Sequence, residues 1–242
     1  MNYENAGELL PEKLLKEVKK YAAGKLLYIP QDDDKKAWGE ASGYRQLLVR
    51  RNQLIYNKYL HGTPIAELSK EYYLSQETIK RIVYSKKNTN KLDYDPTAPS
   101  AAAYAEAGML EEWVHTYVLF GRRNKNFSEG LALINRTYEG PLWIPLSLLD
   151  RTSGPESGMK WRVDREDFEQ KVMHWTKQIQ AGEATPPLIA KVAQGRMELN
   201  CGNPLLEALH RTGVSEYPVI VWMTELAGDE QYLKQYVMYT PD

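Results

Sequence analysis

Two stretches of this sequence carry side chains in arrangements that can do chemistry. The first is Ser75-Gln76-Glu77-Thr78, followed by Lys80 and Arg81, with Lys86 and Lys87 just beyond. Amide, hydroxyl and cationic side chains on one helix can enter the major groove and bond base edges and phosphates. The second is Asn200-Cys201-Gly202-Asn203-Pro204-Leu205, which sets the chain's one cysteine just ahead of a helix start. A helix N-terminus favours anions and can lower a thiol pKa, whereas a half-buried Cys201 would be inert packing. Other candidates are thinner. Arg122-Arg123-Asn124-Lys125 follows the aromatic run Trp113 to Phe120 and could grip nucleic acid, or be a solvated loop beside core aromatics. Asp32-Asp33-Asp34 reads as a solvated acidic turn rather than a metal site. His115, His174 and His210 lack metal-ligand spacing, and no His-Glu-x-x-His, phosphate-binding loop or Gly-x-Ser-x-Gly is present. No catalytic residue, metal ligand or cofactor is therefore expected.

The elements that must position the first stretch are helical. Leu14, Leu15, Val18 and Tyr21 recur at helical spacing, and Gly24 supplies a stop. Leu26-Leu27-Tyr28-Ile29-Pro30 reads as a short strand. Tyr44 to Tyr59 reads as a helix with Leu47, Leu48, Asn52, Ile55 and Tyr59 along one side. Thr63 is the expected cap of a helix from Pro64 to Tyr72, because proline suits the first helical position. Tyr73-Leu74-Ser75 is then a turn, and Ser75 caps a helix from Gln76 to about Ser85. Leu68, Tyr72, Leu74, Ile79 and Ile82 fall at the buried offsets, and Ser69 is small where the helices cross. Two short helices on a three-residue turn fit the DNA-binding helix-turn-helix. A basic helical hairpin with no DNA role fits the same spacing.

Charge divides the chain. Residues 1–92 hold 17 Lys+Arg against 11 Asp+Glu, and residues 93–242 hold 14 against 21. A basic and an acidic half imply two domains, one able to meet a polyanion. Residues 93–108, with two prolines and an alanine run, read as the linker. In the second half, Leu142 to Leu146 reads as a strand and Asp164 to Ala181 as a capped helix. Pro187 to Val192 and Arg196 to Asn200 make a hairpin across Gln194-Gly195. Asn203 is the expected cap of a helix that Gly213 follows, and Tyr217 to Met223 is a strand buried on both faces. No apolar run reaches the roughly 18–20 residues of a membrane span, and the N-terminus lacks a signal-peptide pattern. A cytoplasmic protein without membrane contact is the expectation.

Two resemblances rest on these residues. The order helix, Gly-Lys-Leu-Leu-Tyr-Ile-Pro, Arg-Arg-Asn-Gln-Leu-Ile-Tyr and Ile-Ala-Glu-Leu-Ser-Lys-Glu-Tyr-Tyr-Leu-Ser-Gln-Glu-Thr-Ile-Lys-Arg-Ile over about residues 8–87 resembles the Mor-type transcription activators. That resemblance implies a homodimer built by the N-terminal helix and the Tyr-Ile-Pro strand, with the last helix reading double-stranded DNA. Residues 140–225 are similar to the ParB/sulfiredoxin-like fold, whose loop signature is Asp-Gly-x-His-Arg. Here Gly202, Asn203, Glu207, Ala208 and Leu209 match, while Cys201, Pro204 and Leu205 stand where the Asp, His and Arg should be. The loop has thus lost its acid, its proton-transfer group and its phosphate clamp.

The expected architecture is α+β in two domains. Residues 1–92 form an all-α helix-turn-helix domain with one short dimerising strand. Residues 93–108 are a linker, and residues 109–242 form a ParB/sulfiredoxin-like α/β domain without catalytic activity. The expected function is a dimeric, sequence-specific transcriptional regulator whose second domain meets a small-molecule or protein partner or another copy. Two rivals stay open: a DNA-targeted nuclease or nucleotide-dependent phosphotransferase, and an interaction protein that never touches DNA.

Overall fold

A computed structural model of the chain describes residues 6–24, 43–85, 91–224 and 233. The expected strand at 26–30, the acidic turn at 32–34, Lys86 and Lys87 lie outside the described residues. The protein is mixed α/β, with a helical N-terminal part and a sheet in its C-terminal part. No described helix is long and apolar enough to cross a membrane.

The backbone divides into two compact units, up to Arg45 and from Gln46 onward. The first holds α1 (Ala6–Leu9) and α2 (Glu12–Ala22). The amphipathic spacing of α2 places Leu14, Leu15, Val18 and Tyr21 on one side, yet none of its residues is buried. Gly24, at φ +72°, takes the left-handed conformation that ends such a helix.

In the second unit, α3 (Tyr44–Leu60, its start in the first unit), α4 (Ile65–Glu71) and α5 (Gln76–Tyr84) enclose a small core of Ile55, Leu68, Ile79, Ile82 and Val83. The buried side of α3 differs from the one expected. It buries Gln53, Ile55 and Asn57, and leaves Leu47 exposed. The two amides are tolerated there because they are satisfied. Gln53 Nε2 donates to Asn57 Oδ1, Tyr104 Oη and the Leu92 carbonyl at 2.8–2.9 Å, and Asn57 Nδ2 donates to Thr116 Oγ1 at 2.9 Å.

Their partners correct the linker assignment. Thr97 accepts from the Ser100 N–H, Pro99 sits in the first turn, and alanines fill the helix α6 (Ala98–Glu106). Ala101 and Tyr104 of α6 are fully buried, so residues 93–108 are part of the packed unit. Composition alone could not separate an alanine-rich helix from a small-residue linker. Next come α7 (Leu110–Thr116), a π-helical turn (Tyr117–Gly121) and α8 (Lys125–Ala132).

The sheet runs in the order β1-β7-β5-β6-β2, from β1 (Thr137–Pro145), β2 (Leu149–Arg151), β5 (Leu188–Ala193), β6 (Arg196–Cys201) and β7 (Glu216–Met223). A second, two-stranded sheet pairs β3 (Ser153–Gly154) with β4 (Trp161–Arg162). Central β7 pairs antiparallel with β1 and parallel with β5. Its side chains alternate between two cores, as strand pleating requires. Val219, Val221 and Met223 join Leu205, Leu206 and Leu209 of α10 (Asn203–Arg211), with Trp175 and Ile179 of α9 (Arg165–Gln180) at the margin. Ile220 and Trp222 join Tyr104, Trp113, Val114 and Leu131 from α6 to α8. The sheet is therefore covered by helices on both faces, which explains the continuous apolar run of β7.

Candidate nucleic-acid interface

The turn between α4 and α5 is built by local bonds. Tyr72 N–H donates to Leu68 O, and Leu74 N–H donates to Ser69 O at 3.1 Å. Ser69 Oγ returns a bond to the Leu74 carbonyl, which gives this small residue a second role. Tyr73 takes φ +53° and is 94% exposed. A tyrosine thus does what glycine usually does at such a turn, at a cost of about 1–2 kcal/mol in the left-handed region. Ser75 Oγ accepts from the Thr78 N–H at 3.2 Å, as expected of a cap. Thr63, by contrast, does not cap α4. The capping position is Pro64, with no side-chain bond, because the helix starts one residue later than expected.

α5 buries Ile79, Ile82 and Val83 and leaves Gln76, Glu77, Lys80 and Arg81 exposed, with Thr78 half-buried. Lys80 Nζ donates to Glu77 Oε1 at 2.8 Å, and this bond holds the ammonium pKa above its ordinary value. Lys91 Nζ caps the other end, donating to the carbonyls of Val83 (3.0 Å) and Ser85 (3.2 Å). The result is a short, end-capped helix with one polar, charged face open to solvent.

The loop at 200–205 is built for packing. Gly202 adopts φ +99°, and a Cβ there would come within 2.4 Å of Leu188 Cδ2. Gly202 is the residue at the cap of α10, so Asn203 does not hold the position expected of it. Asn203 instead latches α10 to the chain after β2: its Oδ1 accepts from the N–H groups of Thr152 and Ser153, both at 3.0 Å. Pro204 and Leu205 are buried, Leu205 in the core against the sheet. Cys201 is buried too, and burial pushes its thiol up to about 11, so the helix N-terminus does not activate it.

Two residues beside this loop were not legible as part of it. The lining of a cavity of about 190 Å³ includes Arg122, Asp167, Lys171, Asn200, Gly202 and Asn203. Arg122 arrives from the end of the π-helical turn, and Lys171 from α9, where it pairs with Asp167 at 2.5 Å. Both lie far from residue 200 in sequence, so no local spacing pointed to them. Arg151 stands nearby as a clamp, paired with Glu156 and with Glu207 of α10. Among the described residues, no three His, Cys, Asp or Glu side chains gather to hold a metal.

No protein-family model matches the chain. It is 48% identical over 87 residues to the uncharacterized protein YraL of Bacillus subtilis (strain 168), a match that takes in 100% of that protein and 36% of this chain. With its whole length paralleled at that identity, YraL and this chain belong to one family.

Proposed function

We propose that this chain is a sequence-specific DNA-binding protein, a dimeric transcriptional regulator in which α5 reads the major groove. The observation that carries the reading is the capped α5, packed on α3 and α4 through Ile79 and Ile82 while Gln76, Glu77, Lys80 and Arg81 face solvent. Gln76 and Arg81 suit base edges, Thr78 and the Ser75 hydroxyl suit phosphates, and Lys80 can exchange Glu77 for a phosphate. The unburied apolar side of α2 supports a dimer, which suits half-sites about one helical turn apart. The C-terminal sheet layer is read as a ParB/sulfiredoxin-like domain that keeps the scaffold and lacks the loop chemistry.

The test is selection of genomic fragments by the full-length chain at two salt concentrations. Enrichment of a palindromic site, with affinity falling steeply as salt rises, is the expected result. Absence of any salt-sensitive DNA affinity would favour the interaction-protein reading instead. A second reading, nucleotide binding at residues 200–205, is favoured by Arg122 and Lys171 beside the start of α10. Calorimetry with nucleoside triphosphates separates it: heat of binding lost in a Lys171→Ala variant supports it, and no heat removes it.

A further inference from the structure

A second cavity, of about 340 Å³, lies apart from α5 and from residues 200–205. Its lining includes Arg50 of α3, Ala105 of α6, Glu111 of α7, and Arg136, Tyr138 and Glu139 around the start of β1. Two of these hold buried hydrogen-bond donors, Arg136 Nε and Tyr138 Oη, that find no partner among the described residues. Leaving such donors unpaired is costly, and native proteins seldom do it without a reason. Both side chains are firmly placed. Arg136 Nη1 donates to the Leu131 carbonyl while the guanidinium lies 5.0 Å from the centre of the Trp222 ring. Tyr138 packs against the core of α6, α7 and the sheet. Burial pushes the Tyr138 hydroxyl well above its ordinary range, so it remains a donor.

The charges around the cavity narrow what could meet these donors. Arg50 is already engaged: its Nε donates to Glu112 at 2.8 Å and its Nη2 to Glu111. The lining itself carries two cations, Arg50 and Arg136, against two carboxylates, Glu111 and Glu139. Burial works to raise Glu111, but His115 and Arg50 outweigh it and hold the carboxyl below its usual value. A dianion would set a second negative charge against Glu111 and Glu139, and a simple amine would leave the donors unpaired.

We infer that this cavity binds a small zwitterion of the α-amino-acid class. Its carboxylate accepts from Arg136 Nε and Tyr138 Oη, and its ammonium faces Glu111 and Glu139. The volume suits a small ligand, and Ala105 keeps the lining short on that side. The inference does not depend on DNA binding, and no measurement below involves DNA.

The experiment is thermal denaturation and calorimetry of the full-length chain with each of the twenty L-amino acids, against succinate and putrescine as comparators. At ligand about 100-fold above Kd, a bound state shifts the unfolding equilibrium by roughly 100-fold, a readable rise in Tm. At least one amino acid is expected to raise Tm while succinate and putrescine do not. Tyr138→Phe keeps the ring packing and removes one donor, so it should weaken binding by about tenfold. Ala105→Leu should occlude the cavity and abolish the shift. No response to any amino acid, an equal response to succinate or putrescine, or undiminished binding in Tyr138→Phe would each overturn the inference.

Discussion

The first turn of α5 and the first turn of α10 begin alike and end differently. In each, the residue at the cap lies outside helical geometry and a polar side chain stands at or beside it. In α5 the capping Ser75 bonds within its own helix, and the residues that follow keep their polar ends in solvent. In α10 the polar Asn203 is spent on the backbone of residues 152 and 153, and Pro204 and Leu205 turn into the core. The same local device therefore leaves a polar face open to solvent in one place and serves anchorage in the other. Burial decides between them, since a side chain sealed against a sheet has no solvent-facing group left to offer.

The contrast can be broken from either side. The largest effect is expected from Leu205→Arg, which would place a cation in the loop. Leu205 is 1% exposed in a packed core, so the charge would be buried unpaired. A loss of about 4 kcal/mol in urea unfolding is expected; a variant as stable as the parent would mean that the loop can open, and that its burial is no barrier to phosphate binding. Changing Lys80 and Arg81 together to alanine should weaken specific DNA binding by ~100-fold and flatten its salt dependence, with little change in Tm. Full affinity in that double variant would remove α5 as the reading helix. Ser75→Ala deletes the cap and should cost about 1 kcal/mol, seen as faster amide exchange at Thr78 than at Ile82. The smallest effect concerns Cys201. Its folded pKa of about 11 lies above the ordinary 9.0, so the protonated thiol favours the fold below pH 9 and that contribution fades as pH rises through 11. At pH 8 the native protein should label with a thiol reagent only as fast as it unfolds, and prompt labelling would show an exposed, activated cysteine.

What the sequence shows unaided is local. The helix from Tyr44, the helix capped by Asp164 and the hairpin across Gln194-Gly195 each carry their periodicity and their stop signals within about twenty residues. The hairpin turn places both Gln194 and Gly195 at positive φ, as a two-residue loop needs. The buried side of α3 was harder. A helix that hides Gln53 and Asn57 looks wrong by hydrophobic pattern, and it becomes reasonable only when Tyr104, Thr116 and the Leu92 carbonyl are seen around it. The cluster of Arg50 with Glu111 and Glu112 was missed for the same reason: its members lie some sixty residues apart.

By itself the sequence determined the helices α2, α3, α5 and α9 and the hairpin across Gln194-Gly195, that Leu68, Ile79 and Ile82 would share a core, and that residues 204 and 205 carry neither a charge nor a titratable group. Periodicity, capping and residue type act over a few residues, so one chain suffices to read them. The tertiary structure alone decided that residues 93–108 are packed helix, that Asn203 is a latch, and that Arg136, Tyr138 and Glu111 share a cavity. Those outcomes depend on which distant groups satisfy a buried donor or neutralise a buried charge. Such partners are set by how the sheet and its two helical layers close, not by neighbours along the chain.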